Sequence, residues 1–231
     1  MPSVSVCYNT AGMGKYPIFL ELSGRRAVVI GAGAVAVRKA QSLLAVGVRL
    51  VVVGRKISEA MSALGAGDDV ELIESRYSKD YLPGAVLVIA ATNNPELNKR
   101  IYKDCQQLEI LCNVVDQPGL CDFFVPAVVR RGDLQISIGT DGTCPAYAGH
   151  LRKKLEEIFS DEHGRFLAEL EAIRKDICEA VPNQGQRKAL LGQLAGDESF
   201  DYFIENGPAA WHRYARKLAT EATGNKSPAT G

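Results

Sequence analysis

The sequence predicts an α/β chain with a parallel sheet in its N-terminal half, a small β-rich element after it and helices at the end. Three observations carry that prediction. Between Tyr16 and Asp116, short apolar runs rich in valine and isoleucine alternate with stretches of helical period, the pattern of β-α-β units whose strands are buried on both faces. Beyond Asp116, two strand-like runs flank the turn Arg130-Arg131-Gly132-Asp133. From Pro145 onward the strand pattern ceases and apolar residues recur at helical intervals.

The elements follow in order. Ala27 to Ile30, Arg49 to Val53, Val70 to Ile73, Val86 to Ala91 and Ile110 to Val115 read as strands, each too short and too apolar to be a surface helix. Between the first two, Ala36, Ala40, Leu43 and Leu44 recur at helical spacing with Arg38, Lys39 and Gln41 on the other face, and the helix is expected to end at Gly47. Asn94-Pro95-Glu96 opens another: asparagine caps, proline suits the first helical position, and glutamate meets the positive end of the dipole. Leu97, Ile101 and Cys105 supply its buried stripe. Phe123 to Val129 and Leu134 to Ile138 are read as a hairpin outside the parallel sheet. Leu151, Leu155 and Ile158, then Phe166, Leu170, Ile173 and Ile177, mark helices up to Val181-Pro182. The expected division is residues 1–117, 118–150 and 151–223, with 224–231 a small, polar and disordered tail.

Bulk composition narrows the function. With 231 residues and 46% hydrophobic content the chain can bury a sizeable core. Twenty-seven basic residues balance twenty-seven acidic ones, so no nucleic acid and no anionic membrane is expected as a partner, and any anion site must be local. Six cysteines (Cys7, Cys105, Cys112, Cys121, Cys144, Cys178) contain no CxxC pair, and the first residues lack the pattern of a secretory signal, which points to a cytoplasmic protein with reduced thiols. Arg38, Lys39, Arg49 and Arg55 interrupt the most hydrophobic region, leaving no run near the roughly 20 residues that span a bilayer.

The most informative string is Gly31-Ala32-Gly33-Ala34-Val35-Ala36, directly after the first strand and before the first helix. It reads G-x-G-x-x-A, the phosphate-binding turn of a dinucleotide-binding, Rossmann-like sheet. Gly31 permits the tight turn, Gly33 lets a pyrophosphate approach the backbone, and Ala36 lets helix pack closely on strand. The second part of that fingerprint is absent, because Gly54-Arg55-Lys56 stands where an acidic residue would hold the ribose hydroxyls. Arg55 and Lys56 fit the extra phosphate of NADP or form a solvated basic turn, so these residues leave NAD and NADP both open.

Other residues carry two readings each. Asp116 follows the fifth strand at the carboxyl edge, where open sheets place ligands; it can accept a proton or cap a turn. Thr92-Asn93-Asn94 ends the fourth strand, and contact with the cofactor competes with helix capping. Gly139-Thr140-Asp141-Gly142-Thr143-Cys144-Pro145 leads into a helix, as an anion site or as a turn capped by Thr143. Arg130-Arg131, Arg152-Lys153-Lys154 and Arg213 with Arg216-Lys217 can receive carboxylates or be solvated faces. His150, His163 and His212 lack ligand spacing, so no metal site is expected. Trp211 reads as a packing residue.

Taken in order, these strings resemble one family, the precorrin-2 dehydrogenases, also seen as the N-terminal part of siroheme synthase. The resemblance covers roughly Tyr16 to Phe159. It rests on Tyr16-Pro17-Ile18-Phe19-Leu20, Gly31-Ala32-Gly33 with Val35-Ala36 and Arg38-Lys39-Ala40, Ala90-Ala91-Thr92-Asn93 with Asn98, Cys112-Asn113-Val114-Val115-Asp116, Phe124-Val125-Pro126-Ala127, and Gly142-Thr143-Cys144-Pro145. It implies a homodimer with a Rossmann domain, a dimerisation element at 118–150 and a helical domain, and the oxidation of precorrin-2 to sirohydrochlorin with NAD. Ferrous iron is a second substrate in some members. Asp116 matches the family's catalytic aspartate. By the same resemblance Gly31, Gly33, Ala34, Val35, Thr92, Asn93 and Asn113 hold the cofactor, and Thr140, Gly142, Thr143, Cys144 and Arg152 the tetrapyrrole substrate. Two positions depart from the pattern: the family usually has serine at Cys144, and commonly a basic residue at Gly149. No methylation is expected, since the chain ends in helices after residue 220. The competing readings are a non-catalytic dinucleotide sensor and a dehydrogenase of another small substrate.

Overall fold

The computed structural model describes residues 14–65 and 67–222; the expected tail at 224–231 and Cys7 lie outside the described residues. Two compact units divide at Val125 and Pro126.

In the first unit the parallel strands are β1 (Arg26–Ile30), β2 (Arg49–Gly54), β3 (Val70–Glu74), β4 (Leu87–Ala90) and β5 (Leu111–Val114). They pair in the order β3-β2-β1-β4-β5, all parallel. The chain winds from β1 toward β3 on one side, then crosses to β4 and β5 on the other. The carboxyl ends of β1 and β4 therefore flank the point where strand order reverses, which is where open α/β sheets bind ligands.

Side chains alternate across this sheet with the period of the pleat. Val29, Leu50, Val52, Leu87 and Ile89 face one layer, with Ala36, Val37, Ala40 and Leu43 of helix α1 (Ala34–Leu44) and Met61 of α2 (Glu59–Leu64). Val28, Ile30, Val51, Val53 and Val88 face the other, with Ile101 and Cys105 of α3 (Pro95–Gln107). Because both faces are covered, the strands are apolar without interruption. Each fully buried valine, leucine or isoleucine contributes roughly 1.5–3 kcal/mol.

All five expected strands are present, with no end moved by more than one residue. Val86, Ala91 and Val115 lie just outside the assigned strands, yet their N–H groups donate to Arg26 O, Ile30 O and Ala90 O. Helix α1 stops at Leu44 rather than Gly47; two tighter turns follow, and Gly47 takes φ +72°. The cap at Asn94 is as expected, its side chain accepting from the N–H groups of Glu96 and Leu97 at 3.1 Å.

In the second unit a hairpin, β6 (Ala127–Arg131) and β7 (Leu134–Ile138), pairs antiparallel and is followed by helices α4 (Pro145–Ile158), α5 (Asp161–Ala180), α6 (Gln184–Leu194) and α7 (Asp197–Ala222). The strand expected from Phe123 begins only at Ala127. Pro126 has no N–H for a ladder, and residues 121–123 are held back against β5 instead. Ile158, at helical spacing from Leu155, is 62% exposed. Helix α7 bends where Gly207 adopts φ +76° before Pro208.

The helical core gathers Phe166, Ile173, Ile177, Leu190, Leu194, Phe203 and Trp211. Trp211 is fully buried, as its reading as a packing residue requires, and its indole donates to Ser199 Oγ at 2.8 Å. Arg131 is no free cation: Nε and Nη2 donate to the carbonyls of Phe159 and Glu156 at 2.7 and 3.0 Å, closing the C-terminal end of α4. Gly164 is required there, since a Cβ would meet Arg131 O at 2.5 Å.

Candidate active site at the carboxyl edge of the sheet

The turn after β1 shows two glycines with separate duties. Gly31 takes φ +120°, and a Cβ on it would lie 2.3 Å from Ala91 O, so only glycine lets this turn pass the end of β4. Gly33 is extended and exposed, and a Cβ there would meet nothing within 4 Å. It is the N-cap of α1, with no side-chain cap and no acidic residue in the first turn. The N–H groups of Ala34, Val35 and Ala36 have no acceptor inside the helix, and the helix dipole adds positive potential. Such a helix start can hold an anion, with room at Gly33 where a side chain would block approach.

The turn is braced from β2. Ser58 Oγ donates to Ala32 O at 2.7 Å and caps α2 through Met61 N, while a Cβ on Gly54 would press on Ala32 at 3.0 Å. Ser58 escaped the sequence reading, although serine before Glu59 carries an N-cap signal. Arg55 and Lys56 are exposed beside this loop. The Glu74 carboxylate accepts from Ile57 N at 3.1 Å, placing negative charge at the same edge.

On the adjoining strand, Thr92 is half-buried and Asn93 exposed. The Thr92 hydroxyl donates to Asn98 Oδ1 at 2.6 Å, and Asn98 Nδ2 returns a bond to Thr92 O at 3.0 Å. Asn98, only 3% exposed, thus fixes the turn that presents Thr92 and Asn93. Asn98 belongs to the strings that carry the family resemblance, but a single sequence gives no sign of this bracing role.

At the end of β5, Asp116 is exposed and takes φ +60°, a left-handed backbone uncommon for any residue but glycine, although aspartate and asparagine are enriched there. It is the third residue of a turn closed by Gln117 N on Val114 O at 3.3 Å. Gly31, Thr92 and Asp116 therefore follow β1, β4 and β5, three adjacent strands, at one sheet edge. Neighbouring strands are about 4.8 Å apart, so one extended ligand spans the set. Asn113 is 8% exposed, its Nδ2 donating to Phe123 O at 2.9 Å, and so it shapes the site from beneath.

Lys39 on α1 is half-buried; burial first, then Arg38, pushes its pKa below the usual lysine value. Cys112 is held protonated by its hydrogen bond with Cys105 and by burial.

The remaining expected residues lie in the second unit. Asp141 (φ +54°) and Gly142 (φ +83°) form the centre of a tight turn closed by Thr143 N on Thr140 O at 2.9 Å. Thr143 is not the cap, contrary to that alternative; Thr140 Oγ1 accepts from Cys144 N at 3.4 Å, because the Thr140 side chain lies on the inside of the turn. Cys144 is the exposed N-cap residue of α4. Arg152 is half-buried and paired with Glu156. Among the described residues no group of three or more His, Cys, Asp or Glu side chains is placed to hold a metal ion, and no helix is long and apolar enough to cross a membrane.

Residues 18–127 match an NAD(P)-binding family model. A siroheme synthase of Psychrobacter arcticus is 35% identical over 176 residues, covering 76% of this chain and 32% of that protein. Siroheme synthases of Pseudomonas aeruginosa (34% over 213 residues; 90% and 46% covered) and Aeromonas hydrophila (30% over 219 residues; 95% and 46%) are similar over nearly the whole chain. The chain thus spans 32% to 46% of the length of these relatives. Among solved structures, one described as SirC, precorrin-2 dehydrogenase, superposes with a TM-score of 0.73 at 21% identity, over 88% of this chain and 100% of that one. It has the same fold.

Proposed function

Because the chain belongs to the family of siroheme synthases and precorrin-2 dehydrogenases, we propose that it oxidises precorrin-2 to sirohydrochlorin with NAD, with Asp116 as the base. One observation carries this reading: a left-handed Asp116 stands on the same sheet edge as a glycine turn open for a diphosphate. A sensor needs the second and has no use for the first.

When bound, the nicotinamide cofactor supplies the hydride acceptor. The chain does the rest. The N–H groups of Ala34 and Val35 beside Gly33 would hold the diphosphate, and Thr92 and Asn93, on the turn stiffened by Asn98, would hold the rest of the dinucleotide. Asp116 takes the proton that leaves the macrocycle as the hydride departs, so its carboxylate must be ionised and within hydrogen-bond reach of that proton. The macrocycle's acidic side chains call for cationic and polar donors, the roles assigned to Arg152 and to the side chains of Thr140, Thr143 and Cys144, with Gly142 leaving room between them.

A homodimer is part of the same proposal. Tyr16, Ile18 and Phe19 are 86%, 57% and 70% exposed, Val125 is 49% exposed, and Lys15 lies over the Phe124 ring at 4.4 Å; an apolar surface of this kind favours a partner. The free thiols fit a reducing cytosol.

The test is turnover. Purified protein with precorrin-2 and NAD, run beside NADP, should develop the sirohydrochlorin absorbance, and Asp116→Ala should lose about 10²–10⁴-fold in kcat. Full activity in that variant removes Asp116 from the mechanism. Tight cofactor binding without turnover favours the sensor, and hydride transfer that ignores tetrapyrroles favours another dehydrogenase. Ferrous iron added to the product distinguishes one activity from two.

A further inference from the structure

No hydrogen bond or ion pair to a described residue holds the Asp116 side chain, so the direction of its carboxylate is set by its backbone turn. That turn is tied by the two residues that close the following loop. Cys121 Sγ shares its proton between Val114 O at 3.3 Å and Gln117 O at 3.4 Å, the carbonyls at the two ends of the turn containing Asp116. Gln117 O also accepts from Leu120 N at 2.9 Å.

Asp122 anchors the loop behind it. Its carboxylate accepts from Cys112 N at 2.8 Å and from Gln106 Nε2 at 2.9 and 3.1 Å, and its own N–H donates to Cys112 O at 2.8 Å. Asn113, bridged antiparallel to Cys121, donates to Phe123 O and to Cys121 Sγ. Residues 115–120 are thereby closed at their base, with a charged acceptor on a β5 amide and a thiol donor across the turn. An ionised carboxylate bonded to backbone N–H is among the stronger hydrogen bonds a protein makes. A thiol can serve as donor only while protonated, and burial raises the Cys121 pKa, keeping it so.

We propose that Cys121 and Asp122 are positioning residues for Asp116, holding its turn in the left-handed conformation that aims the carboxylate at the substrate proton. This deepens the reading of Asp116 as the base and rests on it. Displacement of a reacting group by an ångström is enough to cost a large factor in rate, and loss of a donor across a strained turn permits that displacement.

The experiment uses the full chain. Cys121→Ala should lower kcat for precorrin-2 oxidation about 10-fold with the dissociation constant for NAD unchanged, whereas Cys121→Ser, whose hydroxyl still donates, should recover most of the rate. Asp122→Asn, which loses the charge on the acceptor, should fall between wild type and Cys121→Ala. In an Asp116→Ala background, Cys121→Ala should have no further effect, since coupled groups are not additive. By NMR, the amides of Gln117 and Leu120 should exchange faster in Cys121→Ala than in wild type. An unchanged kcat in Cys121→Ala, where Asp116→Ala is inactive, overturns the positioning role alone; unchanged amide exchange does the same. Absence of precorrin-2 turnover in wild type overturns the functional reading, and the exchange arm still decides whether the clamp holds the turn.

Discussion

Substituting alanine separately for Gly31 and Gly33, two residues apart, separates folding from binding. A Cβ at Gly31 would sit 2.3 Å from Ala91 O and 2.8 Å from Ala91 C, both backbone atoms at the end of a central strand with no freedom to yield. The backbone there also has φ +120°, where an L side chain is strained by about 1–3 kcal/mol before any clash is counted. Together these place the cost of Gly31→Ala at about 3 kcal/mol or more. For a domain of this size that lowers Tm by about 6–12 °C. Gly33 has φ −82° and ψ −178°, and an added methyl meets open space. Gly33→Ala should leave Tm unchanged or raise it slightly, by up to about 1 kcal/mol of reduced unfolded-state entropy, yet weaken dinucleotide binding at least about 10-fold, or ~1.4 kcal/mol, because the methyl stands where the diphosphate must lie. Thermal unfolding read with NADH fluorescence titration measures both. Wild-type stability in Gly31→Ala, or wild-type affinity in Gly33→Ala, refutes the division of labour.

Other perturbations follow from the same geometry. Asn98→Ala removes the side-chain partner of the Thr92 carbonyl and leaves the Thr92 hydroxyl only its longer bonds with Asn94; a stability loss of about 1–3 kcal/mol in urea unfolding should accompany weaker cofactor binding, and a change in neither rejects the bracing role. Ser199→Ala strands the buried Trp211 indole N–H, and should destabilise the helical unit by about 1–3 kcal/mol while leaving dinucleotide affinity intact. Alkaline pH should also weaken the first unit. Cys112, through Cys105 and burial, and Tyr77, through burial and then Asp104, have pKa values raised on folding. The folded state thus keeps protons the unfolded chain releases, and this stabilisation, complete below the unfolded values of roughly 8.5 for a thiol and 10 for a phenol, is lost as pH rises beyond them. The urea midpoint should fall between neutral pH and pH above about 10, less steeply in Tyr77→Phe. A midpoint that rises over that range contradicts the sign.

The fold was legible because its signals are local and periodic. Valine-rich runs at Val51 to Val53 and Val86 to Ala91 can be buried on both faces only in a covered parallel sheet, and Asn94-Pro95-Glu96 specifies a helix start by hydrogen-bonding chemistry alone. Legibility failed where a distant contact overrides propensity. Phe123 to Pro126 reads as strand, but Asn113 and the Asp122 carboxylate draw that segment onto β5. Arg131 reads as a surface cation, but two carbonyls from α4 and its end claim it. The spacing of Leu151, Leu155 and Ile158 marks a helix, and the helix is there, but Ile158 is exposed, since periodicity states which residues share a face and not what lies opposite.

By itself the sequence determined the α/β class, the strand-turn-helix setting of the glycine motif and an aspartate after the fifth strand, because each depends on residues within a few positions of one another. Only the tertiary structure decided which backbone atoms crowd Gly31 while Gly33 stays open, that Asn98 and Ser58 brace the turns around them, and that Asp116 is left-handed with Cys121 across its turn. These depend on which backbone atoms the fold brings within about 3 Å of each other, a distance that no spacing along the chain encodes.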